Sequence, residues 1–140
     1  MEQPTDDEKR AWFADALERI IVIDFPSVSD DPQVIYLLFP NEEDLKAVVF
    51  FLQDYKGTGF SLILEKINSD TVNLKIYEPD TDDFHVTKEV VVRTDSVDNY
   101  RIGYRPDCVL SVGLLKTVDS EIKIDHVTFL RIPIKSVTFK

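Results

Sequence analysis

Residues 60–77 read FSLILEKINSDTVNLKIY. Apolar side chains recur with period two on both sides of Asn68-Ser69-Asp70, and period two places alternate residues on one face of a strand. Asn, Ser and Asp are turn formers, because their side chains bond their own backbone and tolerate left-handed geometry. Phe60–Ile67 and Thr71–Tyr77 therefore read as two strands of a hairpin. A short turn makes them antiparallel neighbours.

Downstream the period-two pattern continues. His85–Thr94, Tyr100–Tyr104, Cys108–Thr117, Glu121–Ile132 and Ile134–Phe139 read as further strands. Asp95–Asn99 reads as a turn, and Arg105-Pro106-Asp107 as a break. Pro133 has no N–H to give a ladder, so it marks a bulge or an edge.

Upstream the pattern changes to helical spacing. Thr5-Asp6-Asp7-Glu8 is a capping box, in which the Thr5 side chain serves the Glu8 N–H and Glu8 reaches back. Phe13, Ala16, Leu17 and Ile20 then fall at i, i+3, i+4 and i+7 on one face. This predicts a helix over 6–19. Asn41 caps a second helix over 42–55, with Glu42, Glu43 and Asp44 where the helix dipole favours negative charge. Leu45, Val48, Val49 and Leu52 repeat the stripe, Phe50 and Phe51 widen it, and Gly57 ends it. Ile20–Ile23 and Gln33–Phe39 read as short buried strands around the Pro26–Pro32 loop. The order is helix, strand, strand, helix, then about six strands. It predicts a single α+β domain over 1–140, with two helices packed on a mostly antiparallel, strongly bent sheet of about six to eight strands.

The 140 residues carry a net charge of −10, unevenly placed. Residues 1–44 hold twelve acids against three bases, whereas residues 99–140 hold seven bases against four acids. Net negative charge disfavours duplex nucleic acid and anionic membrane surfaces as partners. It favours a basic protein surface. No apolar run approaches the ~20 residues of a membrane span. The opening Met-Glu-Gln-Pro-Thr-Asp-Asp-Glu has neither the basic nor the apolar region of a secretory signal. The one cysteine, Cys108, has no internal partner for a disulfide, and a cytoplasmic location is the expectation. No metal or cofactor motif is found. The acidic run Glu78–Asp83 lacks the EF-hand glycine and closing glutamate, and Lys56-Gly57-Thr58-Gly59 follows a helix instead of opening one, unlike a phosphate loop.

The helix caps account for the acids of 6–8 and 42–44, but not for Asp24, Asp30 and Asp31. Those three, with Glu42 and Glu43, form the candidate acidic contact. Tyr100, Arg101, Tyr104 and Arg105 make the one aromatic and basic cluster, of the kind found at interface hot spots. In a strand the two tyrosines share one face and the two arginines the other. These features lead to the expectation of a small binding or inhibitory protein, without a catalytic role, that docks on a basic surface of a protein partner. A toxin or a nucleic-acid-processing enzyme would present such a surface, as in toxin-neutralising immunity proteins and phage-encoded inhibitors.

The alternative rests on both histidines of the chain, which lie in His85-Val86-Thr87 and His126-Val127-Thr128. In a strand, each motif sets an imidazole beside a hydroxyl. The repeated His-apolar-Thr pattern resembles the two-histidine phosphoesterases, over these residues and Phe129 alone. The resemblance implies a small phosphoesterase with one histidine as base, the other as acid, and Thr87 and Thr128 holding phosphate oxygens.

Overall fold

A computed structural model describes residues 5–25, 34–55, 60–77, 84–118 and 123–140. The first helix, α1, runs Asp6–Leu17, and its cap is the predicted one: the Glu8 N–H donates to the Thr5 hydroxyl oxygen at 3.2 Å. The Glu8 carboxylate turns to the Thr5 hydroxyl. Phe13, Ala16, Leu17 and Ile20 are all buried, as their spacing requires. The second helix, α2, spans Glu42–Tyr55, and the Asp44 N–H donates to the Asn41 side chain at 2.9 Å. The two helices pack against each other. The rings of Phe13 and Phe51 stack with centroids 4.4 Å apart, and Phe60 meets Phe51 edge-on at 6.1 Å.

Seven strands follow the chain as β1 (Val22–Asp24), β2 (Val34–Phe39), β3 (Ser61–Lys66), β4 (Thr71–Tyr77), β5 (Phe84–Val92), β6 (Gly103–Val118) and β7 (Lys123–Phe139). The hairpin of residues 60–77 forms as predicted, with the Asp70 N–H held by the Asn68 side chain at 3.0 Å. Asp95–Asn99, predicted as a turn, lies partly in a four-residue helix, α3 (Thr94–Val97).

The sheet is not merely bent. It closes into a barrel in the order β1-β2-β6-β7-β3-β4-β5, with β5 returning to β1. Four pairings are antiparallel (β1–β2, β3–β4, β4–β5, β6–β7). The other three, β1–β5, β2–β6 and β3–β7, are parallel. The mostly antiparallel sheet expected from hairpin spacing is thus a mixed one. Inward residues of every strand join Phe13, Leu17, Phe51 and Leu52 from the helices in one hydrophobic cluster.

Two predicted interruptions are absorbed within long strands. β6 continues through Arg105-Pro106-Asp107 because Asp107 adopts a left-handed backbone, φ 56°, between the paired residues Pro106 and Cys108. β7 continues through Pro133, opposite Val109. Only Ser136–Phe139 of β7 pair with β3; residues 123–135 have β6 on one side and no strand on the other among the described residues. The Lys135 N–H points to that second side and donates to the Phe60 carbonyl at 2.7 Å. Strand alternation aims Pro133 the same way, so its missing N–H falls on the open edge.

A bulge turns β7 toward α2. Val112 pairs with Leu130 and Gly113 with Thr128, so Phe129 is the extra residue of β7. Gly113 permits this closeness. A Cβ there would lie 2.7 Å from the Val127 carbonyl oxygen and 3.4 Å from a Leu38 methyl. Backbone cannot yield as a side-chain end does, so Gly113→Ala is expected to lower stability by about 2 kcal/mol, read from the shift of the urea unfolding midpoint.

Candidate functional site

An apolar hollow lies between α2 and the β7 bulge. One face of the helix, Glu42, Leu45, Lys46, Val49, Phe50 and Gln53, and the ring of Phe129 enclose about 320 Å3. The helical stripe at 45, 48, 51 and 52 is spent on the core, which turns the adjacent face carrying Lys46, Val49, Phe50 and Gln53 toward β7. Phe50 and Phe129 are 41% and 53% exposed, unusual for large aromatic side chains with an apolar core beside them. Lys9 of α1 reaches over the Phe50 ring, its Nζ 5.1 Å from the centroid.

The end of this groove is acidic. Glu42 and Glu43 are exposed in the first turn of α2. Asp44, beside them in sequence, is buried. Its carboxylate accepts from the Arg19 Nε at 2.8 and 2.9 Å and from the Asn41 side-chain amide at 2.9 Å. Arg19 also pairs with Asp15, and the hydrogen bonds that it donates to Asp44 and then to Asp15 hold its guanidinium pKa above the ordinary arginine value. The same pair lowers the Asp15 carboxyl, mainly through the Arg19 hydrogen bond.

Asp24 does not belong to a contact surface. It is only 4% exposed, accepts from Arg93 at 3.0 Å, and receives the Ser96 hydroxyl, which in turn accepts the Phe25 N–H at 3.1 Å. A carboxylate at the end of β1 is thus the tie that holds α3, and strand-end position alone does not distinguish the two uses. Asp30 and Asp31 lie outside the described residues.

The aromatic and basic cluster is divided differently from the strand prediction, because β6 begins at Gly103. Tyr100 turns inward against Phe25 and Phe139, and its hydroxyl donates to the Leu64 carbonyl at 2.6 Å and to the Lys140 carbonyl. Burial is the first cause that pushes its phenol pKa up. Tyr104 is 59% exposed, and Ile102 is 81% exposed. Arg101 is exposed and donates to the Asp98 carbonyl at 2.8 Å, while the Arg105 guanidinium sits 5.7 Å from the Phe139 ring centroid.

His85 and Thr87 are on β5, and His126 and Thr128 on β7, strands that are not neighbours in the barrel. The side chains of His85, Thr87 and His126 lie outside the described ones. Thr128 is exposed and accepts from the buried Ser111 hydroxyl at 3.2 Å. A second, polar hollow of about 590 Å3 carries Glu18, Glu65, Lys66 and Lys88. Ion pairs occupy most of its charges: Lys88 with Glu18 at 3.1 Å, and Glu65 with Lys75 at 2.9 Å, which lowers the Glu65 carboxyl. The acidic run at 78–83 lies outside the described residues, and among the described ones no three metal-ligating side chains gather. No helix among them is long and apolar enough to cross a membrane.

Of the expected site residues that the structure describes, Glu42 lines the hollow and Glu43 is exposed next to it in the first turn of α2. Phe50 and Phe129, which form the groove walls, are not among the partner-binding residues that the sequence marks; Phe129 enters there only as the apolar residue that follows His126-Val127-Thr128. The signal for Phe50 is its position beside the helical stripe; for Phe129 there is none, since a bulge is what turns it to the helix. Comparison with protein-family models, curated proteins and solved structures gives no match.

Proposed function

We propose that this chain is a binding protein, inhibitory in effect, that docks on a basic surface of a protein partner through the first turn of α2 and the groove beside it. The observation that carries this reading is the juxtaposition of two exposed carboxylates, Glu42 and Glu43, with a half-exposed aromatic groove of about 320 Å3. A hydrophobic anchor pocket with charge at its rim is the usual anatomy of a recognition site. The carboxylates guide a cationic partner, and the aromatic walls hold an apolar side chain.

Selection from a displayed random dodecapeptide library is the direct test. Enriched peptides should carry Lys or Arg next to an aromatic or branched aliphatic residue. Glu42→Lys with Glu43→Lys should weaken them about tenfold at low ionic strength, an effect that shrinks as salt is added. Full affinity in the double variant would remove the acidic turn from the function.

A further inference from the structure

The groove has a second boundary besides the helix. Its far wall, Phe129, belongs to β7, and the stretch of β7 around it has no strand on its outer side among the described residues. An unpaired edge presents N–H and C=O groups that seek a strand. From the direction of the Lys135 N–H, alternation points the Arg131 N–H, the Arg131 carbonyl and the Pro133 carbonyl to the open side. A helix or a rounded surface in the groove leaves these groups unmatched; an extended chain matches them. A groove between a helix and a sheet edge is the setting in which peptides add as strands, with backbone bonds giving affinity and the groove selecting side chains.

We infer that the partner segment binds as an extended strand added to β7 at Arg131–Pro133, placing an apolar side chain between Phe50 and Phe129 and a basic residue at Glu42 and Glu43. This rests on the proposed docking function and names its mode. A second copy of this chain is a poor occupant. Two β7 edges paired about a two-fold axis bring like-charged Arg131 side chains together, and Pro133 removes a donor from each. Glu42 and Glu43 carry no ion pair among the described residues, so their charge is available to a cationic residue of another molecule.

The test uses the strongest dodecapeptide selected from the displayed library, made in two forms with N-methyl groups on alternate residues in opposite phase. Methylation removes the N–H groups of one strand edge and leaves the other. One form should lose about tenfold or more in affinity and the other almost none. In nitrogen-labelled protein, the Arg131 amide should shift and its hydrogen exchange slow on binding. Equal affinity of both forms, or an Arg131 amide unchanged at saturation, overturns strand addition. If that result comes with a peptide still weakened by the Glu42 and Glu43 reversal, the docking function stands and only its mode falls. Failure of the library to yield a ligand overturns both.

Discussion

Phe51→Ala is expected to lower the unfolding free energy by about 4 kcal/mol, the range for an aromatic side chain deleted from a closed core. Phe51 is 1% exposed and stands where the helices and barrel meet. It stacks on Phe13 of α1 and receives the edge of Phe60, the residue before β3. Neither neighbour can move in to fill the space: Phe13 is fixed by its helix, and the Phe60 carbonyl holds the Lys135 N–H. Phe51→Leu, which keeps most of the volume, should cost less than half as much. Urea denaturation of both variants, followed by tryptophan fluorescence, gives the comparison. Equal losses would show that ring geometry matters more than volume. A loss under about 1 kcal/mol for alanine would show that the helices pack more loosely than these distances imply.

Asp24→Ala is the second large effect, and the expected loss is about 3 kcal/mol, or about 10 °C in Tm. The carboxylate side chain is 6% exposed and is shared by Arg93 and Ser96. Its removal leaves the Ser96 hydroxyl without the Asp24 acceptor in a site where Ser96 is 1% exposed, and takes one ion-pair partner from Arg93. Asp24→Asn keeps an acceptor for the hydroxyl but not the ion pair, so it should recover part of the loss. Both are read by thermal unfolding. The same variants test the placement of Asp24. Below the melting transition, Asp24→Asn should bind a groove-selected peptide as the parent does, whereas the Glu42 and Glu43 reversal should not.

Local signals in the sequence are sufficient for the elements and for their inner faces. The Thr5 and Asn41 caps, the 13-16-17-20 stripe and the 60–77 hairpin each involve residues within a few positions of one another, and each appears in the structure. The parallel pairings leave no such mark. β2 lies against β6 and β3 against β7 without any short turn to announce it, and hairpin logic assigns such strands to antiparallel neighbours by default. The predicted strand breaks fail for a related reason. A proline is expected to stop a central strand, but Pro133 has its missing donor on an open edge, and the left-handed backbone at Asp107 carries β6 onward past Pro106. Site residues divide in the same way. Glu42 and Glu43 are legible because helix starts expose their first turn. Asp24 is not, because a carboxylate at a strand end is equally able to face solvent or to tie down a neighbouring turn, and its partners Arg93 and Ser96 lie about 70 positions away.

The three parallel pairings bear on how the chain reaches this structure. Val22 meets Val91, Val34 meets Val109 and Ser61 meets Ser136, separations of 69, 75 and 75 residues. The two hairpin systems, β3–β4–β5 and β6–β7, can form early because their turns are short. Closure cannot, since each parallel seam requires the loop between its strands to lose its freedom before any contact rewards it. Such topologies fold on the millisecond-to-second scale. Until β7 meets β3 at Ser136–Phe139, the inward apolar faces of both hairpin systems stay wet. During synthesis the nascent chain therefore carries an unclosed half-barrel from the emergence of β5, which ends at Val92, until Ser136–Phe139 follow, a window in which chaperone engagement or misassembly with another nascent chain is decided.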